Sequence, residues 1–273
     1  MRRKLCLLLT AALLFLLLSG CAAAKETEHA PFTVDFLSTG KSDCAVIRMD
    51  GLVILSDAAD TDDYETISRC LKSYGISRID YMILSHYDKD HIGAAAALVR
   101  NYTVGMVLCP NYREYSDEYY ALEEAVAASA AEMRVLTEDY RIETKNGSVL
   151  ADPPDVDYGD DNNNSLITTV TYRDCRMLFL GDAMKKRLEE FEGVMEERYD
   201  LIKLPHHGDS NKPLLRILKA ARPAWAVEMV SPAEIVEPEL LQRLQELNVT
   251  LFRTSDGPVH AEWTEEGLTV GGE

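Results

Sequence analysis

From Thr33 onward, short apolar runs alternate with polar turns. Thr33-Val34-Asp35-Phe36-Leu37, Cys44 to Met49 and Leu52 to Leu55 read as three strands, with a turn at Asp50-Gly51 and an end at Ser56-Asp57. Apolar positions at Ile67, Cys70, Leu71 and Tyr74 then take helical spacing over residues 63–74, and Gly75 is the stop. The unbroken run Tyr81-Met82-Ile83-Leu84 predicts a buried strand, and Ile92 to about Arg100 a helix. Val104 to Leu108 predicts a strand, residues 116–132 an Ala- and Glu-rich helix, and 133–152 strands and turns. An acidic, Asn-rich loop from Asp155 to Asn164 leads into a hairpin, Ser165 to Tyr172 and Met177 to Leu180, around Arg173-Asp174. A helix from Lys185 to about Met195, a strand at 200–204, a helix at 213–221, a strand at 224–230, a helix at 238–247 and a strand at 249–254 finish the pattern. A meander thus gives way to strand–helix alternation, which is an α/β domain, and each polar cluster lies where a strand ends.

The N-terminus stands outside this pattern. Arg2, Arg3 and Lys4 precede an apolar stretch, Leu5 to Leu18, that is short for a membrane span. It ends in Leu18-Ser19-Gly20-Cys21, which resembles the bacterial lipobox. That resemblance implies cleavage before Cys21, lipidation of its sulfur, and anchoring on the extracytoplasmic face of a bacterial cell membrane, since two acyl chains hold a protein stably. Residues 1–20 are then the signal peptide, 21–31 a tether, and 32–273 one domain with a full core.

The formal charge is −18, and loss of the three basic residues of the signal brings it to about −21. Such a chain repels long nucleic acid, whose avid binders neutralise phosphates with Lys and Arg. Beyond Cys6 and Cys21, the cysteines Cys44, Cys70, Cys109 and Cys175 sit in apolar segments, lack zinc-knuckle spacing, and read as small buried hydrophobes.

The chemistry is concentrated in Ser85-His86-Tyr87-Asp88-Lys89-Asp90-His91-Ile92-Gly93. Four metal-competent side chains, His86, Asp88, Asp90 and His91, fall between a strand and a helix, where α/β folds place their sites. Two carboxylates and two imidazoles brought together inside a protein need a positive partner, and a pair of divalent cations supplies one.

Read with the other segments, this one resembles the metallo-β-lactamase superfamily, and within it the ComEC-like hydrolase domain and its stand-alone relatives. The resemblance runs from about Phe32 to Trp263 and is carried by segments in the family's order. They are Val34 to Asp43, Ile54-Leu55-Ser56-Asp57, His86 to His91, Asn163-Asn164-Ser165-Leu166, Leu180-Gly181-Asp182 and Leu204-Pro205-His206-His207-Gly208. It implies a four-layer αβ/βα sandwich and a hydrolase in which a water bridging two divalent cations attacks the substrate.

By the same resemblance, His86 and Asp88 bind one metal, Asp90 and His91 the other, and Asp182 bridges them. His206 or His207 completes the shell: we place His206 on a metal and His207, with Asp90 and Asp182, in catalysis. Asp57 and Asn164 support the ligands from behind. Asp88, where many relatives carry a histidine, makes the first site richer in oxygen and moves its preference from zinc toward manganese. Lys89 reads as a surface lysine, and Lys203 as a residue able to meet a phosphate. Ser42, Ala94, Asp209 and Glu237 depart from the family pattern. The implied activity is cleavage of small or polymeric phosphodiesters. A lactone or β-lactam hydrolase and a non-catalytic binding lipoprotein are the alternatives.

Overall fold

Alternate residues of Phe32-Thr33-Val34-Asp35-Phe36 face opposite ways, and the apolar three join one continuous core. The computed structural model describes residues 31–272. The expected signal peptide, Cys21 and all but the end of the expected tether lie outside them. In chain order the strands are β1 (Phe32–Phe36), β2 (Ala45–Met49), β3 (Leu52–Ser56), β4 (Arg78–Ile83), β5 (Thr103–Pro110), β6 (Glu132–Leu136), β7 (Tyr140–Glu143) and β8 (Gly147–Asp152). There follow β9 (Ile167–Tyr172), β10 (Cys175–Phe179), β11 (Leu201–Lys203), β12 (Trp225–Glu228), β13 (Thr250–Arg253), β14 (Val259–Thr264) and β15 (Gly267–Gly272). The helices are α1 (Tyr64–Ser73), α2 (Lys89–Ile92), α3 (Ala95–Asn101), α4 (Asp117–Ala127), α5 (Lys185–Glu192), α6 (Lys212–Ala221) and α7 (Pro238–Glu246).

Eight strands form one sheet in the order β15-β14-β1-β2-β3-β4-β5-β6, and seven form a second in the order β13-β12-β11-β10-β9-β8-β7. Both are mixed. β3 to β6 run parallel in the first sheet and β10 to β13 in the second, while the remaining pairs are antiparallel. The period-two alternation sorts side chains into three cores. Phe36, Ile47, Ile54, Val170, Met177 and Phe179 fill the space between the sheets. Val46, Leu55 and Met82 face α1, α3 and α4, and Leu178, Ile202 and Ala226 face α5, α6 and α7. Helix, sheet, sheet, helix is therefore the layering, as the resemblance implied.

Aromatic rings close the seam: Phe32 stacks on Tyr172 at 4.8 Å between centroids and Phe36 on Phe179 at 5.6 Å. Phe36 is fully buried, so Phe36→Ala would cost about 3–5 kcal/mol.

Two parts of the pattern came out differently. The helix predicted over 116–132 stops at Ala127, and Glu132–Leu136 pairs with β5 as the edge strand β6. Ala and Glu favour helix, but an open sheet edge beside the segment outweighs a propensity worth tenths of a kcal/mol per residue. The pattern also ended at residue 254, whereas β14 and β15 form a further hairpin that docks β14 beside β1.

His260 of this hairpin meets Asp35 of β1, Nδ1 to Oδ1 2.6 Å, and that hydrogen bond raises the imidazole pKa against the opposing effect of partial burial. A raised pKa stabilises the fold fully below the unfolded value, about 6.5, and the benefit is lost as pH rises through the folded value. The side chain is 35% exposed, so solvent screening limits the effect to about 1 kcal/mol. Thermal melting of His260→Gln should therefore lie about 2–4 °C below the parent chain at acidic pH, with the gap closing on the alkaline side. A gap that widens with pH would contradict the assignment.

Candidate metal centre

The loops that follow β1, β3, β4, β10, β11 and β12 meet at one end of the seam between the sheets. Their backbones are tied to one another. Asp43 N–H donates to Asp90 O, Ala58 N–H to His91 O, Ala59 N–H to Asp43 O, Leu166 N–H to Ser85 O and His206 N–H to Gly181 O. Several residues here hold left-handed backbone: Asp57, Ala59, His206 and His207 at φ between 44° and 59°, and Gly181 at 51°. Such conformations are costly for residues with a Cβ and persist where surrounding contacts impose them.

Each imidazole is oriented by its second nitrogen. Asp57 Oδ2 and Ser85 Oγ lie 3.1 and 3.3 Å from His91 Nδ1. His86 Nδ1 lies 3.0 Å from Ser85 Oγ, and His207 Nδ1 donates to Met229 O at 2.9 Å. With Nδ1 serving as donor in each ring, every Nε2 carries a lone pair when the ring is neutral. Those lone pairs converge with carboxylates. His91 Nε2 lies 3.3 Å from Asp182 Oδ1, and His207 Nε2 lies 3.4 Å from both Asp182 Oδ2 and Asp90 Oδ2. His86 Nε2 lies 3.4 Å from Asp88 Oδ2.

Among the described residues three groups lie close enough to hold an ion: His86 with His91 and Asp182, Asp90 with His91 and His207, and Asp43 with Asp57 and His91. His86 Nε2, His91 Nε2 and Asp182 Oδ1 are buried and have no hydrogen-bond partner. Buried lone pairs are costly unless something positive meets them, so this donor set fits a divalent cation.

The electrostatics of the centre keep its carboxylates charged. Burial would raise the carboxyl of Asp182, yet His91, with His86 and His207, holds it far below the usual range. Asp90 is lowered against burial by His207 and His91, and Asp88 is lowered by His86. Burial disfavours the His91 cation, but Asp182 and Asp57 outweigh it and raise its pKa well above the usual value. Protons on the rings and divalent cations thus compete for the same carboxylates.

The sequence-stated site residues do not all stand together. His86, Asp88, Asp90, His91 and Asp182 converge, and Asp57 lies under His91. The sequence motif assigns His206 to the metal shell and His207 to catalysis, but it is His207 that turns into the cluster. The side chain of His206 is 31% exposed, with Nδ1 3.4 Å from Asp209 Oδ2. Consecutive left-handed residues point the two rings apart, which no spacing rule foretells. Asn164 does not touch the cluster. Its Oδ1 accepts from Tyr158 N–H and its Nδ2 donates to Asp157, so it shapes the loop before β9. Glu237 accepts from Ser210 N–H beside the histidine loop.

Lys89 is exposed and pairs with Asp60. Lys203 is 3% exposed and faces inward, in contact with Asp43. Sequence reading passed over Asp43, Ser85 and Glu228. Glu228 is buried, binds Arg253, and lies directly under Gly208. A lone lysine in the apolar run Leu201-Ile202-Lys203-Leu204 was the available sign of a buried charge.

A family model, the metallo-beta-lactamase superfamily, matches residues 37–227. The chain belongs to this superfamily. Its members are mostly metal-dependent hydrolases. The chain is 26% identical over 197 residues to ComE operon protein 3 of Bacillus subtilis (strain 168), covering 67% of this chain and 24% of that protein. It is 24% identical over 255 residues to Recombination protein 2 of Haemophilus influenzae (strain ATCC 51907 / DSM 11121 / KW20 / Rd), covering 90% and 31%. The chain therefore spans a quarter to a third of the curated relatives it matches. In fold it is similar to the metallo-beta-lactamase fold protein YhfI of Bacillus subtilis, with a TM-score of 0.56 at 12% identity, covering 88% of this chain and 100% of that one.

Gly181 offers a local test. A Cβ there would sit 2.7 Å from Ser85 Cβ, on a left-handed backbone. Gly181→Ala should destabilise the chain by about 2 kcal/mol or more in denaturant melts and loosen the neighbouring Asp182. An unchanged melt would show that this loop is less constrained than its contacts imply.

Proposed function

We propose that this chain is a lipid-anchored, extracytoplasmic phosphodiesterase that works with two divalent cations. The observation that carries the proposal is the convergence of His86, His91 and His207 with Asp88, Asp90 and Asp182, several of whose buried donor atoms are unpartnered. In this reading His86, Asp88 and Asp182 hold one cation, Asp90, His91 and His207 the other, and Asp182 reaches both. Charge supports the count. Asp43, Asp57, Asp88, Asp90 and Asp182 bring five negative charges and Lys203 one positive, and two divalent cations would neutralise the four that remain. The oxygen-rich donor set favours manganese while leaving zinc possible. When bound, such a pair supplies Lewis acidity and makes water a nucleophile near neutral pH.

The protein's own groups then have separate tasks. Asp57 and Ser85 hold His91, and Met229 O holds His207, so that each Nε2 keeps its lone pair aimed inward. His206, partly exposed and beside Asp209, gives a proton from Nε2 to the leaving oxygen, and the carboxylate of Asp209 steadies the charged ring. The acidic surface favours small phosphodiesters or wall-polymer linkages over long nucleic acid. That one curated relative is named for recombination is in keeping with phosphodiester chemistry. Anchoring rests on Leu18-Ser19-Gly20-Cys21.

Assays on the purified chain separate the readings. Bis(p-nitrophenyl) phosphate should be turned over with manganese or zinc, and a chromogenic β-lactam should not. Asp182→Asn should abolish that turnover with the melt largely kept, whereas His206→Ala should slow it by about 10²-fold or more while keeping its metals. β-Lactam turnover without phosphodiester turnover, or an active Asp182→Asn, would overturn the proposal. Cys21→Ser should move the protein from the membrane to the soluble fraction, and continued membrane association would rule out the lipid as its anchor.

A further inference from the structure

We propose that Lys203 is a positioning residue whose ammonium is the fixed internal counter-charge of the metal centre, tying Asp43 of one sheet to Asp182 of the other. The inference rests on the two-cation reading above and extends it to a residue that touches neither substrate nor metal.

Alternation along β11 places Leu201 and Lys203 between the sheets and Ile202 toward the helices. Burial there pulls the lysine's pKa down to about 7, so its charge depends on the partners it finds inside. Its ammonium is in direct contact with Asp43 Oδ2, donates to Gly181 O at 3.0 Å, and lies 3.8 Å from Asp182 Oδ1, an ion-pair separation beyond hydrogen-bond reach. These acceptors come from the loop after β1 and the loop after β10, so one ammonium spans the seam. Below them lies a cavity of about 10 Å³ bordered by Asp43, Ser56, Asp57, Phe179 and Gly181. The lysine thus occupies the inner side of the centre, opposite the solvent-facing Asp88 and His206.

Asp43 needs this partner. It is 2% exposed, and the nearest alternatives are His207 Nδ1 at 3.7 Å and His91 Nδ1 at 3.9 Å. Both of those nitrogens are already engaged, by Met229 O and Asp57. Lys203 is therefore the nearest cation that Asp43 has among the described residues. By holding Asp43, whose N–H donates to Asp90 O and whose carbonyl accepts from Ala59 N–H, it also fixes the loops that carry Asp90 and Asp57. Without metal, it is the charge that offsets carboxylates which would otherwise repel one another.

The full chain, Lys203→Met, Asp43→Asn and the double variant would be compared by thermal melting after chelation and again in manganese, and by calorimetric titration with manganese alone. Chelated Lys203→Met should melt below the parent, and manganese should close at least half of that gap, because added cations replace the lost charge. Asp43→Asn leaves the ammonium facing only Asp182 and should weaken manganese binding about tenfold or more, and the double variant should recover most of that loss. A Lys203→Met gap equal with and without manganese would mean packing alone and would overturn the proposal. So would an Asp43→Asn affinity equal to the parent's, or a double variant no better than the worse single one. If Lys203→Met does not fold, Asp43→Asn and the double variant still decide. A parent chain that binds no manganese would sink the two-cation reading, while the chelated melts would still report whether Asp43 and Lys203 are coupled.

Discussion

Charge balance in a largely buried space governs this molecule. Five aspartates, three imidazoles and one ammonium are drawn together where two sheets meet, and most of them are buried. Carboxylates so placed are tolerated only if each is met by a proton, a cation or a donor. Ser85 and His91 satisfy Asp57, Lys203 satisfies Asp43, and the imidazoles hold Asp182, Asp88 and Asp90 below their usual pKa. What remains unmet is a set of inward lone pairs on His86, His91 and Asp182, and a divalent cation is the species whose chemistry fits them.

The fold serves that requirement by rigidity. Parallel strands deliver their C-terminal loops to one end, and the inter-sheet core of Phe36, Ile47, Met177 and Phe179 fixes the separation of the halves. Loops from the first sheet bring Asp43, Asp57 and the His86–His91 segment. Loops from the second bring Asp182, His207 and Met229. Neither sheet holds a full ligand set, so the centre exists only while the seam is closed. Left-handed residues at Asp57, Gly181 and His207 are where the backbone bends to present these groups, and Glu228 beneath Gly208 supports the last of these bends.

Much of this was legible in the residues. The alternation in β1 to β4 and the strand–helix alternation after Lys185 gave the layers, and His86 to His91, Gly181-Asp182 and His206-His207 marked the site. What failed to show has physical reasons. The end of α4 at Ala127 was hidden by the helix-favouring Ala and Glu that follow it, and β15 by its glycines. The choice between His206 and His207 depends on two positive φ angles, which composition does not encode. Lys203 was read as able to meet a phosphate because it flanks the histidine motif, and only the apolar company of Leu201, Ile202 and Leu204 argued for burial. Asn164 lay in a family motif, yet its amide is spent on Tyr158 and Asp157.

The metal content of the purified full chain, measured by elemental analysis, tests the account most directly. Balanced charge in the centre requires about two divalent cations per chain, bound after exposure to manganese or zinc and removable by chelation. A correctly folded chain that binds none, or that carries a single ion with all three imidazoles engaged, would contradict it.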